Sequence, residues 1–571
     1  MTRMVLRLHP LQLALAVAAW GLGATSLAQQ RPDSGTLQEP QRLLPALPAP
    51  GGPGPNLPVT PSATPPAATV RIIPTEFRFE GNSLFDAATL AALLAPRLNQ
   101  PTDLAGLQEA ARLVRAYYVD RGHLLTDVFI PQQALRSGGG PVTFGVLEAR
   151  VGQVVVRTQG TRISQATAES LARRHLAPGA PITADSLDKP VLLLRDLPGY
   201  NATATVEPGT RPGESNIILD VREGGRPVEV SVGADNHGTR AAGSARVFAS
   251  IDLNNPSGRG DALNARVQVA ELTETRLFRL SYTMPSAGST RLSLAATRTE
   301  YALGKQFAAL GARGQADVLA LSALHPLVRA RDRNLFVSLG LEHKRLDDAT
   351  LVSASTQKKV ASWQAGLLGN ATDQFLGNAF TSYAARLTAG RVALDDATRA
   401  IDQAAGGANT AGTFHKFNLE VQRAQFWSNR FSLNASLQAQ FASRNLTSAE
   451  KMSLGGPAGV RGYPVGEGVG DSGAMASLEL RYQLPPAFNL AGEPVSVGVF
   501  YDTGSVRINQ DPSAAAAQRV SLDSAGLALL AGRVGNFVIN ASIAQRIGSP
   551  LPPSGEPDRS PRFWLTTQKW F

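Results

Sequence analysis

The C-terminal part of the sequence, from about Arg226 onward, is dominated by segments in which apolar and polar residues alternate. The clearest runs from Phe431 to Phe441, where Phe, Leu and Ala at odd positions alternate with Ser, Asn and Gln at even positions. A period of two residues gives a β-strand one apolar face and one polar face. Similar stripes occupy residues 228–234, 245–253, 263–269, 476–482, 495–501 and 537–543. This region is therefore predicted to form an antiparallel sheet with one apolar surface.

The length of these stripes favours a membrane barrel over a soluble β-sandwich, the alternative that alternation alone leaves open. The stripes reach about ten residues, and about 9–11 tilted residues span a bilayer, whereas soluble strands average about five or six. In a barrel the apolar face contacts lipid and the polar face lines water. At roughly 20–22 residues per strand and connection, the region holds about 16 strands. We predict a transmembrane antiparallel β-barrel over residues 225–571, closed by a strand ending in the aromatic Phe571.

The composition excludes several other classes of protein. Charged residues make up 18% of the chain, below the roughly 25% that is usual in soluble proteins. The chain has no Cys, which excludes disulfides, thiolate metal sites and Cys nucleophiles. Its net charge is +10, but Lys and Arg are scattered without a run of five. We therefore expect no metal, no cofactor and no nucleic-acid partner.

The N-terminus predicts export from the cytoplasm. Two arginines precede an apolar stretch at 11–22, and Ser26-Leu27-Ala28 provides the small residues of a cleavage site. This is the pattern of a secretory signal peptide, predicted over residues 1–28. Residues 29–69 are rich in Pro, Gly and Ala and are predicted to form an extended linker, with room for one short helix at 36–44.

Two units with the same predicted element order, strand–helix–helix–strand–strand, separate the linker from the barrel. In the first, predicted over residues 70–151, Asp86 caps a helix and Gly122 ends a second one. The second is predicted over residues 152–224, and Pro198-Gly199 breaks the chain after its helices. Two successive βααββ units are an internal repeat of pattern rather than of identity. The fold class is thus an α+β region followed by a barrel.

One connection of the predicted barrel is unusually long. The hairpin at 427–430 is tight, whereas residues 443–474 form a long, Gly-rich loop. Long loops of such barrels originate on the extracellular side. This loop contains Val460-Arg461-Gly462-Tyr463, and a later strand carries Phe500-Tyr501-Asp502-Thr503-Gly504. Odd positions of that strand are apolar, so Asp502 is predicted to face the lumen.

These two motifs resemble the signatures of two-partner secretion transporters, the haemolysin secretion and activation proteins. The family signature in the sixth extracellular loop is Val-Arg-Gly-Tyr/Phe, and a second family motif is Phe-x-Asp-x-Gly. The two βααββ units look like the POTRA domains of the same family. The resemblance extends over nearly the whole mature chain.

The resemblance implies a function and a location. In this family the long loop folds back into the barrel, and its Arg pairs with a carboxylate of the inner wall, which here would be Arg461 with Asp502. The POTRA domains bind an unfolded partner by strand addition or in an adjacent groove. The implied function is secretion of a large partner protein through an outer-membrane barrel, with the POTRA domains in the periplasm. Further implied partners are the barrel-assembly machinery, with Phe571 as the assembly signal, and outer-membrane lipid.

Alternative functions stay open at this point. A barrel-assembly factor would resemble this chain but carry more βααββ units, and a passive porin would need only the barrel. A surface enzyme is a further alternative, because Gly470-Asp471-Ser472-Gly473 looks like a serine-protease nucleophile segment. No matching His motif accompanies it, so we predict no catalytic residue. The Gly-rich loop lacks the Gly-Lys-Ser/Thr ending of a phosphate cradle, so we expect no nucleotide. The identity of the secreted partner and a pore-plugging role of the N-terminal segment are left undecided.

Overall fold

A computed structural model describes residues 32–37 and 71–571, except for 135–138, 159–160, 272–274, 287–288, 352–354, 405–406, 512–518 and 549–558. The predicted signal peptide and nearly all of the predicted linker lie outside the described residues. The same is true of most of the possible helix at 36–44, and residues 34–37 form a turn. Among the described helices, none is long and apolar enough to cross a membrane.

The first unit packs two helices against a three-stranded sheet. Its elements are β1 (Pro74–Glu80), α1 (Ala87–Leu94), α2 (Leu104–Asp120), β2 (Asp127–Phe129) and β3 (Gly140–Leu147). The strand order is β1-β3-β2, with β1 parallel and β2 antiparallel to β3. Asp86 accepts the backbone N–H of Thr89 and caps α1, as predicted. Gly122 ends the turn after α2 with a φ of +88°, a value that favours glycine.

The second unit repeats this arrangement. It consists of β4 (Arg150–Arg157), α3 (Gln165–Arg173), α4 (Ala184–Arg195), β5 (Tyr200–Pro208) and β6 (Glu214–Glu223), with strand order β4-β6-β5. Both units therefore have the predicted βααββ order. The last strand of the first unit ends at Leu147, and Arg150 already pairs with Glu214 in the second sheet.

The remaining long strands close into a barrel of 16 antiparallel strands, which confirms the predicted fold and strand number. The first half comprises β7 (Val228–Asp235), β8 (Arg246–Asn254), β9 (Ala262–Ala270), β10 (Arg276–Pro285), β11 (Arg291–Ala302), β12 (Arg313–Arg329), β13 (Arg333–Ala349) and β14 (Thr356–Asp373). The second half comprises β15 (Asn378–Leu394), β16 (Gly412–Phe426), β17 (Phe431–Ala442), β20 (Ser472–Gln483), β21 (Val495–Arg507), β22 (Arg519–Arg533), β23 (Phe537–Ile547) and β24 (Arg562–Trp570). Pairing of β24 with β7 closes the barrel.

The apolar side chains of the alternating stripes point outward, although some further apolar residues, such as Phe336 and Leu346, are buried on the inner face. Leu339 and Leu341 on β13 are both 59% exposed, whereas Ser338 and Glu342 on the same strand are buried inside. Water would penalise such a surface, but acyl chains do not. The stripes therefore belong to a membrane barrel and not to a sandwich with a dry centre.

The height of the barrel wall varies around its circumference. Strands β12–β16 have 15–18 residues, whereas β7–β9 have 8–9. At about 3.3 Å per residue and a tilt of about 40°, a 17-residue strand rises about 43 Å, well beyond an apolar band of about 25 Å. On β13 the apolar outward positions lie towards its periplasmic start, so the excess length projects on the extracellular side.

The second βααββ unit is attached to the periplasmic turn between β12 and β13. Arg329 donates from Nη2 and Nε to the two carboxylate oxygens of Asp196, at 2.7 and 2.9 Å, and from Nη1 to Asn334 Oδ1 at 2.8 Å. Arg331 forms an ion pair with Asp188 of α4. We call Asp188, Asp196, Arg329 and Arg331 the periplasmic clamp. Because Arg329 and Asp196 are buried, this contact orients the second unit on the barrel mouth.

Candidate functional site: the inward-folded loop

The long connection between β17 and β20 covers residues 443–471 and turns into the barrel. The predicted end of this loop at residue 474 is wrong, because residues 472–474 already pair with β21. Within the loop, β18 (Met452–Ser453) pairs with β19 (Val469–Gly470). This short ladder brings the two ends of the intervening segment together, and we call this segment, residues 454–468, the lumen lobe.

Arg461 of the lumen lobe is bound by the inner wall of β20 and β21. Its Nη2 and Nε donate to Asp502 Oδ1 and Oδ2 at 2.8 and 2.9 Å, and Nη1 donates to Glu479 Oε2 at 2.7 Å. Arg481 forms an ion pair with the same Glu479, so two cations face two carboxylates. The guanidinium carbon also lies 3.2 Å from the ring centroid of Phe500. A planar guanidinium suits this position because it binds a carboxylate with two parallel hydrogen bonds and stacks on an aromatic ring.

The other motif residues shape the lobe around this arginine. Val460 and Tyr463 are fully buried and pack in one apolar cluster with Leu454 and with wall residues. Gly462 lies so close to β22 that a Cβ would stand 2.7 Å from Ser524 Cβ. Gly504 is equally constrained, because a Cβ there would meet Leu454 Cδ2 at 2.8 Å. The two glycines therefore permit close approach between lobe and wall.

Further contacts to the lobe come from residues that the sequence analysis did not identify. Trp564 of β24 donates its Nε1–H to the carbonyl oxygen of Arg461 at 2.7 Å. Ser524 Oγ accepts the backbone N–H of Gly462 at 3.1 Å. Neither residue belongs to a recognisable motif. The one available signal was their even residue numbers, because even-numbered positions of these strands face the lumen.

The base of the loop is held on another part of the wall. Glu450 is buried, and its carboxylate accepts from Lys344 Nζ at 2.8 Å and forms an ion pair with Lys416 Nζ at 2.7 Å. Lys344 also pairs with Glu342 at 2.9 Å. This group, which we call the loop-base anchor, was not predicted from the sequence. Two inward-facing lysines in strands β13 and β16 were the signal that could have indicated it.

The short N-terminal segment 32–37 lies inside the extracellular end of the barrel. The backbone N–H and Oγ–H of Ser34 donate to Asp348 of β13 at 2.8 and 2.9 Å. Asp33 Oδ2 accepts from Lys358 Nζ at 3.3 Å and from Ser448 Oγ at 2.6 Å. The segment therefore contacts both the wall and the base of the inward-folded loop.

The remaining candidate residues have clear positions. Asp471 accepts the backbone N–H groups of Leu446 and Gln510 and pairs with Lys451 at 2.9 Å, so its carboxylate secures the loop. This is a structural role for the segment that looks like a protease motif. Phe571 follows β24, is 61% exposed and donates its N–H to Val230 at 2.9 Å.

Comparisons with known proteins agree with this architecture. Residues 213–529 match the model of the haemolysin secretion/activation proteins ShlB/FhaC/HecB, and residues 72–148 match the ShlB-type POTRA domain. The chain is 26% identical over 488 residues to the heme/hemopexin transporter protein HuxB of Haemophilus influenzae strain 86-028NP, covering 84% of each chain. It is 25% identical over 414 residues to the outer membrane transporter CdiB of Escherichia coli O6:K15:H31, covering 71% of this chain and 68% of CdiB.

Solved structures share the fold. CdiB from Escherichia coli superposes with a TM-score of 0.67 at 20% identity, covering 90% of this chain and 93% of CdiB. CdiB from Acinetobacter baumannii superposes with a TM-score of 0.61 at 15% identity, covering 98% and 96%.

Proposed function

Because this chain belongs to the family of haemolysin secretion/activation proteins ShlB/FhaC/HecB, it is an outer-membrane two-partner secretion transporter for a secreted exoprotein, and we propose that the contact of Arg461 with Asp502 and Glu479 controls passage through the barrel. The observation that carries the proposal is a buried, bidentate contact between the lumen lobe and the wall of the conduit. The lobe lies in the space that a translocating chain must cross.

Capture of the exoprotein is proposed to occur on the open sheet edges of the two periplasmic units. Strand β2 forms one edge of the first sheet and β5 forms one edge of the second. The backbone N–H of Val128 on the edge strand β2 donates to Oδ1 of its neighbour Asp127 at 3.0 Å. Pairing through the main chain tolerates many side chains, which suits a long unfolded partner.

The exoprotein is proposed to enter the barrel because these sheet edges are oriented toward the barrel mouth. The periplasmic clamp orients the second sheet, and the inner wall above it is polar, as on Ser338, Asn370 and Thr388. A hydrated lumen can accept an extended chain without trapping its apolar residues. Folding of the exoprotein outside the cell would then make the transfer directional.

The lumen is proposed to be closed at rest by two elements, the lumen lobe and segment 32–37. Both are held by ion pairs to the wall, through Arg461 and through Asp33. An arriving exoprotein must displace at least one of them. Segment 32–37 is the better candidate, because its ion pair with Lys358 is long, at 3.3 Å, whereas Arg461 binds Asp502 and Glu479 at 2.7–2.9 Å.

Insertion of the barrel is proposed to depend on its C-terminal strand. The exposed aromatic Phe571 directly follows β24, at the seam where β24 meets β7. A terminal aromatic at this position is suited to recognition by the barrel-assembly machinery and then to the membrane interface.

The function is tested by co-expressing this chain with a candidate large exoprotein in a Gram-negative host. We expect the exoprotein in the medium only when the chain is present. Deletion of residues 70–152 should leave exoprotein in the periplasm while the purified barrel still conducts ions. Secretion without the chain, or normal secretion by the deletion variant, would contradict the proposal.

A further inference from the structure

The outward face of the long strands carries a band of basic residues directly above the apolar belt. On β13 the outward positions change from Leu339 and Leu341 to His343 and Arg345, all of which are exposed. The neighbouring strands continue the band, which we define as His343, Arg345, Lys359, Arg391 and His415, each on an outward-facing position. The band therefore extends across four adjacent strands, β13–β16.

The pairing of these strands brings positive charges together. Arg345 of β13 lies directly opposite Lys359 of β14, and Arg391 of β15 lies opposite Ala361, one outward position from Lys359. Like charges directly opposite one another destabilise a sheet unless an anion lies between them. The band therefore has the charge arrangement of a site for an anionic group.

Nearby carboxylates do not neutralise the whole band. Asp317 is held by two hydrogen bonds from Arg298, at 2.7 and 3.1 Å. Asp347 accepts from Arg345 Nε at 3.0 Å. Within the described part of the chain, Lys359 and Arg391 form no ion pair, and both side chains are exposed on the outer surface.

Strands β21 and β23, farther round the barrel, lack such a band directly above their apolar residues. Above the apolar residues of β21 and β23, the outward positions carry Thr503, Ser505 and Gln545. The next arginines, Arg507 and Arg519, lie at the strand ends. What distinguishes β13–β16 is that Lys359 and Arg391 lie directly above the apolar belt without an ion pair among the described residues, which indicates an anionic ligand.

The height of the band identifies the chemistry of that ligand. Strands β13–β16 rise beyond the apolar belt on the extracellular side, where the outer leaflet of a Gram-negative outer membrane presents phosphorylated glycolipid. We propose that Lys359 and Arg391, supported by Arg345, bind the phosphate groups of lipid A from this leaflet. Phosphate oxygens accept charge-assisted hydrogen bonds from both side-chain types, and the acyl chains of the same lipid would cover Leu341 and Trp363. This goes beyond the secretion function and depends only on the orientation of the barrel.

Binding of lipid A to the detergent-solubilised full chain tests the proposal. Bisphosphorylated lipid A, monophosphorylated lipid A and inorganic phosphate are compared as probes. The variant Lys359→Gln/Arg391→Gln is compared with Arg333→Gln/Arg430→Gln, which removes the same charge from the periplasmic rim. We expect the first variant to bind bisphosphorylated lipid A about 10- to 30-fold more weakly, and the second to bind like the unaltered chain. The monophosphorylated lipid should bind with intermediate strength.

Three results would overturn the proposal. They are unchanged binding by the Lys359→Gln/Arg391→Gln variant, equal losses in both variants, and displacement of lipid A by inorganic phosphate at the same concentration. Migration of each barrel as a compact species on unheated gels verifies folding, so a loss of binding is not mistaken for misfolding.

Discussion

Two buried arginines of this protein make nearly the same contact in different places. Arg461 binds Asp502 with two hydrogen bonds inside the barrel, and Arg329 binds Asp196 with two hydrogen bonds at the periplasmic mouth. The first joins a loop to the wall of the conduit, whereas the second joins a separate domain to the rim. Removing one partner of a buried pair costs about 3–5 kcal/mol, because the remaining charge is left unpaired. The local penalty is therefore similar, but the functional consequence should differ with the location.

The surroundings of the two arginines also differ. Arg461 contacts Glu479 and the ring of Phe500 in addition to Asp502. Arg329 has Asn334 as its further side-chain partner, and the neighbouring pair of Arg331 with Asp188 supports the same domain contact. The domain contact keeps the pair of Arg331 with Asp188 when Arg329 is removed, whereas the lumen lobe loses its ion pairs with both Asp502 and Glu479 when Arg461 is removed.

The largest effect is expected for Arg461→Ala. This change leaves Asp502 buried without its cation, frees the lumen lobe and should nearly abolish exoprotein secretion, while the barrel still folds. The measurement is the amount of exoprotein in the medium at equal barrel abundance. Arg423→Ala is the matched control, because Arg423 pairs bidentately with Asp373 on the outside of the barrel. Normal secretion by Arg461→Ala would reject the role given to the lobe.

A smaller effect is expected for Arg329→Ala. The contact of Arg331 with Asp188 remains, so the second unit stays near the mouth with a looser orientation. Secretion should fall severalfold, and the ion conductance of the purified barrel should not change. If Arg329→Ala abolished secretion as completely as Arg461→Ala, the proposed difference between the two contacts would be wrong.

Segment 32–37 allows closure of the lumen to be tested separately from secretion. Asp33→Ala removes the contacts to Lys358 and Ser448 and should raise the open probability of single channels in a planar bilayer. Secretion should remain close to normal, since the segment is expected to leave during transport. A channel that stays as closed as the unaltered one would show that Asp33 does not hold the segment in place.

The smallest effect is expected in the first periplasmic unit, distant from both arginines. Burial acts to raise the pKa of Glu148, but hydrogen bonds from Ser83, Leu84 and Tyr118 outweigh it and hold this pKa below its ordinary value. The ionised form therefore stabilises the unit above the ordinary Glu pKa of about 4.3, and this contribution is lost as the pH falls through the lower, folded-state pKa.

Glu148→Gln should accordingly destabilise this unit by about 1–3 kcal/mol at neutral pH, and by less in acid. Hydrogen exchange of the α1 and β1 amides in the full chain measures the difference. An equal effect at acid and neutral pH would contradict the assignment of the charge.

The sequence predicted the local features of this protein better than its long-range contacts. Period-two alternation predicted the barrel and the lumen-facing position of Asp502, because strand parity is a local property. Asp86 was recognisable as a helix cap because capping also depends on the local sequence. Arg461 was linked to Asp502 by resemblance, since the two are 41 residues apart and only the fold brings them together.

Other features were not accessible from local patterns. Glu450 meets Lys344 and Lys416 across the lumen, which depends on the loop folding inward. The full length of β12–β16 was missed because polar residues such as Arg345 and Lys359 interrupt the apolar stripe above the membrane. Trp564 carried no signal of its own in the sequence, although it faces inward and binds the lobe.

Cross-linking shows whether the exoprotein crosses the membrane inside this barrel. The chain has no Cys, so single cysteines can be introduced at Ser436, which faces the lumen beside Arg461, and at Leu437, which is 41% exposed on the outer face. An exoprotein carrying one Cys and a folded C-terminal domain is stalled during export. The account predicts a disulfide to Ser436→Cys and none to Leu437→Cys; a disulfide to Leu437→Cys, or to neither position, would contradict it.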